Sequence, residues 1–368
     1  MRVLSKLARL ITEYCTSVKQ GDEVLVNSTY EAYPLIRELW KEIVRRGGYP
    51  RWNINDEVLN EIFYKYSTEE LLRYYSRIDE YITENVDVRI SILSSTHSKY
   101  LVNVDPERLK LRAQATRKLT EIFMRRDSEG VLRWVVTAYP TRAMAQEAGM
   151  SPLEYEEFVF KSLKLYEDDP VAAWVNQANT QQRIVDALSK VSELRIVGHD
   201  TDIVLRVDGR VWINDDGKNN MPGGEVFTGP HEDSVEGVIR FDFPAIWRGV
   251  EVRNARLVFH RGEVVEAEAE LGSEFLKKML ETDEGARRVG EVAFGLNYDI
   301  TRYTKEILFD EKIGGTIHMA LGASYIKTGG TNKSSIHWDL IKDMKKGKVF
   351  ADGELIYENG RFIMEVLK

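Results

Sequence analysis

A single cysteine, Cys15, stands among the 368 residues, so the chain can close no internal disulfide and build no cysteine-ligated zinc site. That scarcity fits an intracellular, reducing compartment. Long apolar runs are missing too: no segment approaches the roughly 18 unbroken apolar residues that read as a membrane helix. Arg2, Lys6, Arg9 and Glu13 interrupt the N-terminal stretch and leave no apolar region of the kind a secretory signal requires. A basic excess is absent as well. The formal net charge is −8 and the pI is near 5.5, a balance that repels phosphate and argues against nucleic acid as the main partner. The only candidate patch, Lys342 to Lys348, reads as a solvated helix end. Neither Gly-x-Gly-x-x-Gly nor the Walker pattern occurs, and Gly329-Gly330-Thr331-Asn332-Lys333-Ser334 lacks the Gly-to-Lys spacing of a phosphate cradle. These absences point to a cytoplasmic protein with neither a membrane nor a nucleic acid as partner.

What the chain does have is enough apolar material for a large interior, with 43% hydrophobic and 10% aromatic residues. Its length makes two domains the expectation. In the first half Leu4, Leu7, Ala8, Ile11, Tyr14, Cys15 and Val18 recur at helical spacing, which puts Cys15 on a core stripe as a structural thiol. Glu23 to Asn27 reads as a buried strand. Tyr33, Ile36, Leu39, Trp40, Ile43 and Val44 make a second helical stripe that Gly47-Gly48 ends. Another strand, Val88 to Leu93, follows a helical stretch around Thr68 to Ser76. Further helices are expected over Pro152 to Tyr166 and Thr180 to Val191. Such alternation favours a mainly parallel sheet covered by helices. His97, just past a strand end, stands where open α/β sheets place ligands, though a substrate contact is not the favoured reading.

After Glu193 the texture changes to short strands with hairpin signals at Asp208-Gly209, Asp216-Gly217, Arg261-Gly262, Asp352-Gly353 and Asn359-Gly360. The expected organisation is an N-terminal α/β domain over 1–190 and a C-terminal, strand-rich α+β domain over 191–368. Glu225, Glu291, Glu311, His318, His337 and Asp339 all fall in the latter, and these two histidines and four carboxylates could form a two-metal hydrolytic centre. In an extended segment, residues two apart face the same way, so His337 and Asp339 would converge on one site. Glu291 has small and apolar neighbours, and a carboxylate there needs a partner such as a metal ion. Glu225 sits in a glycine- and proline-flanked loop. His199, His231 and His260 are placed outside the site.

Five ordered segments carry a family likeness: Met221 to Pro230 with Glu225, Gly290-Glu291-Val292-Ala293, Leu308-Phe309-Asp310-Glu311, the run from His318 to Tyr325, and His337-Trp338-Asp339. With Ala145 to Ser151 they resemble the M29 aminopeptidases, the thermophilic aminopeptidase T family, along nearly the whole chain. The likeness departs at Asp310-Glu311-Lys312, with a longer Ile-Gly-Gly-Thr-Ile stretch before His318, and at a shorter segment between Tyr325 and His337.

The resemblance implies a leucine-type aminopeptidase acting on small peptides, a homodimer, and two divalent ions (zinc, cobalt, manganese or magnesium) per chain. It implies Glu225, Glu291, His318, His337 and Asp339 as ligands, with Glu311 added from its segment, and Tyr325 as an active-site tyrosine. In such a centre paired ions activate a water and polarise a carbonyl. Glu291 is expected to bridge, Glu225 or Glu311 to act as terminal ligand or proton acceptor, and Tyr325 to donate to the oxyanion. The rival readings are another two-metal hydrolase, such as an amidase or phosphoesterase, and a non-catalytic metal-binding protein on the same scaffold.

Overall fold

The computed structural model describes residues 2–247 and 249–365. Its strands in chain order are β1 (Glu23–Ser28), β2 (Tyr49–Ile54), β3 (Val88–Leu93), β4 (Arg133–Ala138), β5 (Glu193–Gly198), β6 (Thr201–Arg206), β7 (Ile213–Asp215), β8 (Asn220–Met221), β9 (Glu225–Thr228) and β10 (Glu236–Arg240). They continue as β11 (Ala245–Trp247), β12 (Val250–Val252), β13 (Arg256–His260), β14 (Glu263–Glu268), β15 (Val289–Gly295), β16 (Thr316–Gly322), β17 (His337–Asp343), β18 (Lys348–Ala351), β19 (Glu354–Glu358) and β20 (Arg361–Phe362).

Two compact units emerge, Met1–Ala173 with Gly217–Pro222, and Trp174–Asp216 with Gly223–Lys368. The division falls within the helix Pro170–Leu188. In the first unit the strands pair all in parallel in the order β2-β1-β3-β4-β8. One face of its central strands is closed to water, with Val24 and Val26 of β1 and Val88 and Ile90 of β3 inaccessible, while the alternate positions of β3 on the other face are only half-buried. The first expected stripe is realised, with Leu7, Ala8, Ile11 and Cys15 buried, and the second only in part: Ile36, Leu39 and Ile43 are buried along the helix Tyr33–Arg45, joined by Leu35, whereas Tyr33 and Val44 at its ends are exposed. The helix Pro152–Ser162 starts on a reciprocal cap in which Glu154 N–H donates to Ser151 Oγ and Ser151 N–H donates to Glu154 Oε2, with Pro152 in the first turn. Three expected helices end elsewhere. The one over Pro152 to Tyr166 stops at Ser162, the last runs Pro170–Leu188, and the stretch around Thr68 to Ser76 is one short turn, Glu69–Leu72.

The second unit stacks an antiparallel sheet in the order β14-β13-β10-β6-β5-β18-β19-β20 on another in the order β17-β16-β15-β9-β7. Alternation decides what lies between them. Val226, Val292, Phe294, Ile317, Met319, Leu321, Trp338 and Leu340 of the smaller sheet join Leu194, Ile196, Ile203, Leu205, Ile239 and Leu257 of the larger in one apolar core. Three of the five expected hairpins close, at Arg261-Gly262, Asp352-Gly353 and Asn359-Gly360, whereas Asp208-Gly209 and Asp216-Gly217 join β6 to β7 and β7 to β8, strands that do not pair with each other. Lys342 to Lys348 is not a helix end, contrary to expectation. Lys342 lies within β17, fully buried, with Nζ 3.2 Å from Asp242 Oδ2 and donating to the carbonyls of Arg240 and His199.

Candidate metal centre

The face of the smaller sheet turned away from the core carries the candidate ligands, and strand register accounts for all of them but Glu311, which follows the short helical turn Ile307–Asp310 and reaches the same face beside Glu225 and His318. Opposed residues of an antiparallel pair share a face. Asp215 pairs with Glu225, Glu225 with Gly295, Ala293 with His318, Glu291 with Ala320, Ala320 with Asp339, and Gly322 with His337. Five strands thus deliver Asp215, Glu225, Glu291, His318, His337 and Asp339 to one surface. Gly295, Ala293 and Ala320 between them leave room for the longer side chains. Glu225 opens β9 rather than lying in a loop.

Glycines set two of these positions. A register shift between Val289 and Glu291 re-aims the Glu291 side chain, and a Cβ on the intervening Gly290 would lie 2.3 Å from the carbonyl of Ala323. Gly224, at φ +117°, approaches so closely that a Cβ would meet that of Asn297 at 2.6 Å. From the helix Pro170–Leu188, buried Gln181 donates to the carbonyls of both Asp215 and Glu225 and fixes the two strands against each other.

Two groups of potential ligands result, with donor atoms within 4.8 Å of one another: Glu225, Glu311 and His318, and Glu291, His337 and Asp339. Glu291 stands between them. Its Oε1 is 3.1 Å from His318 Nε2 and its Oε2 is 3.7 Å from His337 Nε2. Glu225 Oε2 is 3.6 Å from His318 Nε2, and Asp339 Oδ1 is 3.7 Å from His337 Nε2. Both imidazoles are oriented from behind: Nδ1 of His318 donates to the carbonyl of Glu311 at 3.1 Å and Nδ1 of His337 to that of Ala323 at 2.8 Å. Since a carbonyl only accepts, each ring keeps Nε2 free for the site.

Two residues that sequence reading left out of the site belong to this surface. Asp215 is buried beside Glu225, and fully buried Lys312 places Nζ 3.5 Å from Asp215 Oδ2 and 3.5 Å from Glu225 Oε1 while bonding the carboxylate of Glu311. Lys312 adjoins Glu311 in sequence, a signal that was available. Asp215, in Asn214-Asp215-Asp216-Gly217, has the texture of a solvated turn. Cys15 and His97 lie in the first unit, while His199, His231 and His260 bond elsewhere, His231 to the Asp208 carbonyl and His260 to Glu236.

Electrostatics favour cations here. Burial pushes the Asp215 and Asp339 carboxyls up to about 6, against the pull of Lys312 on the first and of His337 and His318 on the second. Glu225 is held well above the usual carboxylate range, again chiefly by burial. For His318 burial works against the charged form, but the bond to Glu291 and the fields of Glu225, Glu291 and Asp339 prevail and raise it to about 10. Among the described residues, buried Oδ2 of Asp215, Oε2 of Glu225, Oε2 of Glu291 and Oδ1 of Asp339 find no hydrogen-bond partner. Such oxygens are costly to bury, and a divalent cation satisfies them. Mixed carboxylate and imidazole donors suit that class of ion.

The Tyr325 ring packs on Phe227 and edge-on to His337, with centroids 5.6 and 5.0 Å away, and the residue is 43% exposed. Loss of water around its hydroxyl, then the charges of Glu291, Asp339, Glu311 and Glu225, raise its pKa and keep it a donor.

Fold and surface together define a divalent-metal hydrolase. The profile of the family described as thermophilic metalloprotease (M29) matches residues 1–362, and the chain belongs to that family. Aminopeptidase 2 of Geobacillus stearothermophilus is 30% identical, over 99% of this chain and 98% of its own length. Aminopeptidase T of Thermus thermophilus is 28% identical, over 98% and 96%. The solved structure of wild-type AmpT from Thermus thermophilus superposes with a TM-score of 0.85 at 27% identity, covering 98% of this chain and 99% of that one. Among the described residues, no helix is long and apolar enough to cross a membrane.

Proposed function

We infer that this metalloprotease is an aminopeptidase that removes single N-terminal residues, leucine among them, from small peptides. The observation that carries the reading is the placement of Glu291 between two ligand groups on one sheet face. Glu225 and His318 would hold one cation, with Glu311 beside them, and His337 and Asp339 the other, with Glu291 shared between the two. Charge supports two ions: with the imidazoles neutral and every carboxyl ionised, as metal ligation requires, Asp215, Glu225, Glu291, Glu311 and Asp339 against Lys312 leave a net of four negative charges, which two divalent cations cancel. When bound, such a pair lowers the pKa of a water and polarises the scissile carbonyl.

The side chains supply the remainder. Glu311, whose side chain is 18% exposed against 6% for Glu225, is the more accessible acceptor for the proton released from water. Tyr325 donates its hydroxyl to the oxygen on which negative charge develops. The substrate's free α-amine, in its neutral form, binds at the acidic surface and registers the first peptide bond, so N-acetylated peptides are not cleaved. We assign catalysis to the second unit, and propose a cytoplasmic homodimer. The single buried Cys15 suits a reducing compartment, and the dimer rests on the family resemblance.

The test is hydrolysis of leucine p-nitroanilide by metal-stripped protein, before and after adding cobalt or zinc, with bound metal counted in parallel. Activity appearing only near two ions per chain is expected. Binding of the ions without turnover of any aminoacyl substrate would end the peptidase reading.

A further inference from the structure

The sheet that carries the ligands ends at β17, and the outer edge of that strand is open beside the two ligand residues it contributes. In a strand, the N–H and C=O of one residue point to the same side and successive residues alternate. Even-numbered positions around β17 face inward: the Ile336 carbonyl accepts from Ala323 N–H at 2.8 Å, and Met344 N–H donates to the Gly315 carbonyl at 3.0 Å. Odd-numbered positions face outward. The Ile341 carbonyl accepts from Asp242 and Phe243 N–H at 3.1 and 3.3 Å, and Asp343 N–H donates to Asp242 Oδ2 at 2.9 Å. His337 and Asp339 therefore turn their backbone groups to the outer edge, and although β11 packs near β17, no ladder joins the two strands and none of the described residues bonds these groups there. Beyond this open stretch lies a cavity of about 260 Å³, walled by Ala245, Trp247, Tyr303, Glu306 and Ile307 opposite His337 and Asp339.

We propose that the peptide substrate docks as an added strand, its residues on the leaving side of the scissile bond pairing with the backbone of His337 and Asp339 in this cavity. The proposal rests on the aminopeptidase reading and adds how the peptide is held. A free strand edge is a row of unmade hydrogen bonds, and an extended peptide is the ligand that completes it. Here the edge is continuous with the metal centre, because the same two residues offer side chains to the ligand groups and backbone to the edge. Pairing thereby sets the scissile carbonyl in register with the centre. The open edge spans about 7 Å at the usual strand rise, enough for two or three residues. Asp242 and Phe243 close it at Ile341, so the strand that can be added is short. Recognition through backbone leaves the downstream side chains largely free, which fits a peptidase of broad substrate choice.

The test needs no variant of the protein. Metal-loaded chain is assayed on leucine p-nitroanilide, which has no downstream backbone, and on Leu-Ala-Ala-Ala carrying one N-methyl group at either of the two amides after the scissile bond. Alternation along an added strand predicts that one methyl raises KM about three- to tenfold, the worth of one hydrogen bond, while its neighbour leaves KM nearly unchanged. Equal effects at both positions, or none at either, with leucine p-nitroanilide still hydrolysed, overturn the added strand and leave the aminopeptidase reading standing. Failure to hydrolyse leucine p-nitroanilide removes that reading, and the docking proposal falls with it.

Discussion

Lys312 holds its ammonium 3.5 Å from Glu225 Oε1 in a place where neither group has water to fall back on, the lysine at 0% and the glutamate at 4% exposure. Burial opposes the charge on Lys312, yet Glu225, Glu311 and Asp215 together hold its pKa well above the usual lysine range. Both partners are raised, Glu225 chiefly by burial with the charges of Glu311 and Asp215 adding to it, and Lys312 by the carboxylates around it. Lys312 thus acts as a permanent cation of the site, present whether or not metal is bound. Substituting Lys312→Met leaves these acids without it and is expected to destabilise the metal-free protein by about 3–5 kcal/mol, the usual result of breaking a buried pair from one side. Adding Asp215→Asn removes one surplus charge and should recover part of the loss. Urea unfolding of the three proteins reads this out. A single variant that unfolds at the wild-type midpoint would mean that Lys312 neutralises nothing.

The same surplus predicts that bound metal stabilises the fold. Removing it with a chelator should lower Tm, and readdition at about 100 times Kd should return about 2.7 kcal/mol per site. The proposed two-ion assignment can be tested residue by residue. Glu225→Gln touches one ligand group and should lower the count by one ion, whereas Glu291→Gln touches both and should lower it by nearly two. Metal analysis and titration calorimetry distinguish these outcomes. Equal loss from the two variants would deny Glu291 its place between the groups.

Tyr325→Phe is a clean deletion, because Phe227 and His337 pack the ring and not the hydroxyl. Loss of a donor to the developing oxyanion is expected to lower kcat about 100-fold or more. KM should change by less than about twofold, the pattern of an interaction made only in the transition state. Metal content should stay as in the wild type. Full turnover by the variant would remove Tyr325 from the chemistry and leave it a packing residue.

How far the sequence reveals this surface depends on how local each signal is. His337 and Asp339 are legible from period-two spacing alone, since both lie on β17. Glu225, Glu291, Glu311 and His318 stand out by their apolar or glycine-rich context and by the family likeness, and the structure gathers them with the first two. Asp215 is illegible because its burial comes from pairing with Glu225 across β7 and β9, while its own neighbours spell a turn. Lys342 misleads for the same reason: the Asp242 that neutralises it is 100 residues away, so its segment reads as solvated. The return of Gly217–Pro222 to the first unit is likewise hidden, because the two residues of β8 pairing with β4 are too few to show a period.

Asp283 gives a pH-dependent prediction away from the ligands. Its Oδ2 accepts from Ser335 N–H at 2.7 Å and Ser335 Oγ at 2.6 Å, and its Oδ1 accepts from Ser334 Oγ at 2.7 Å and Ala286 N–H at 3.0 Å. Partial burial works against the charge, but these bonds, led by the pair from Ser335, hold the carboxyl down at about 2. The serines immediately precede β17, so Asp283 anchors the segment that delivers His337. An unfolded aspartate titrates near 3.9. The folded value is the lower one, so the stabilisation is complete above about pH 4 and disappears as pH falls through about 2. Discounted for partial exposure, it amounts to about 1–2 kcal/mol at neutral pH. Asp283→Asn, measured on metal-free protein, should lie below the wild type by that margin at pH 7. The gap should narrow steadily below pH 4, since protonation of the other acids affects both proteins alike. A gap that is as wide at pH 2 as at pH 7 would show that the carboxylate's charge is not what holds Ser334 and Ser335 in place.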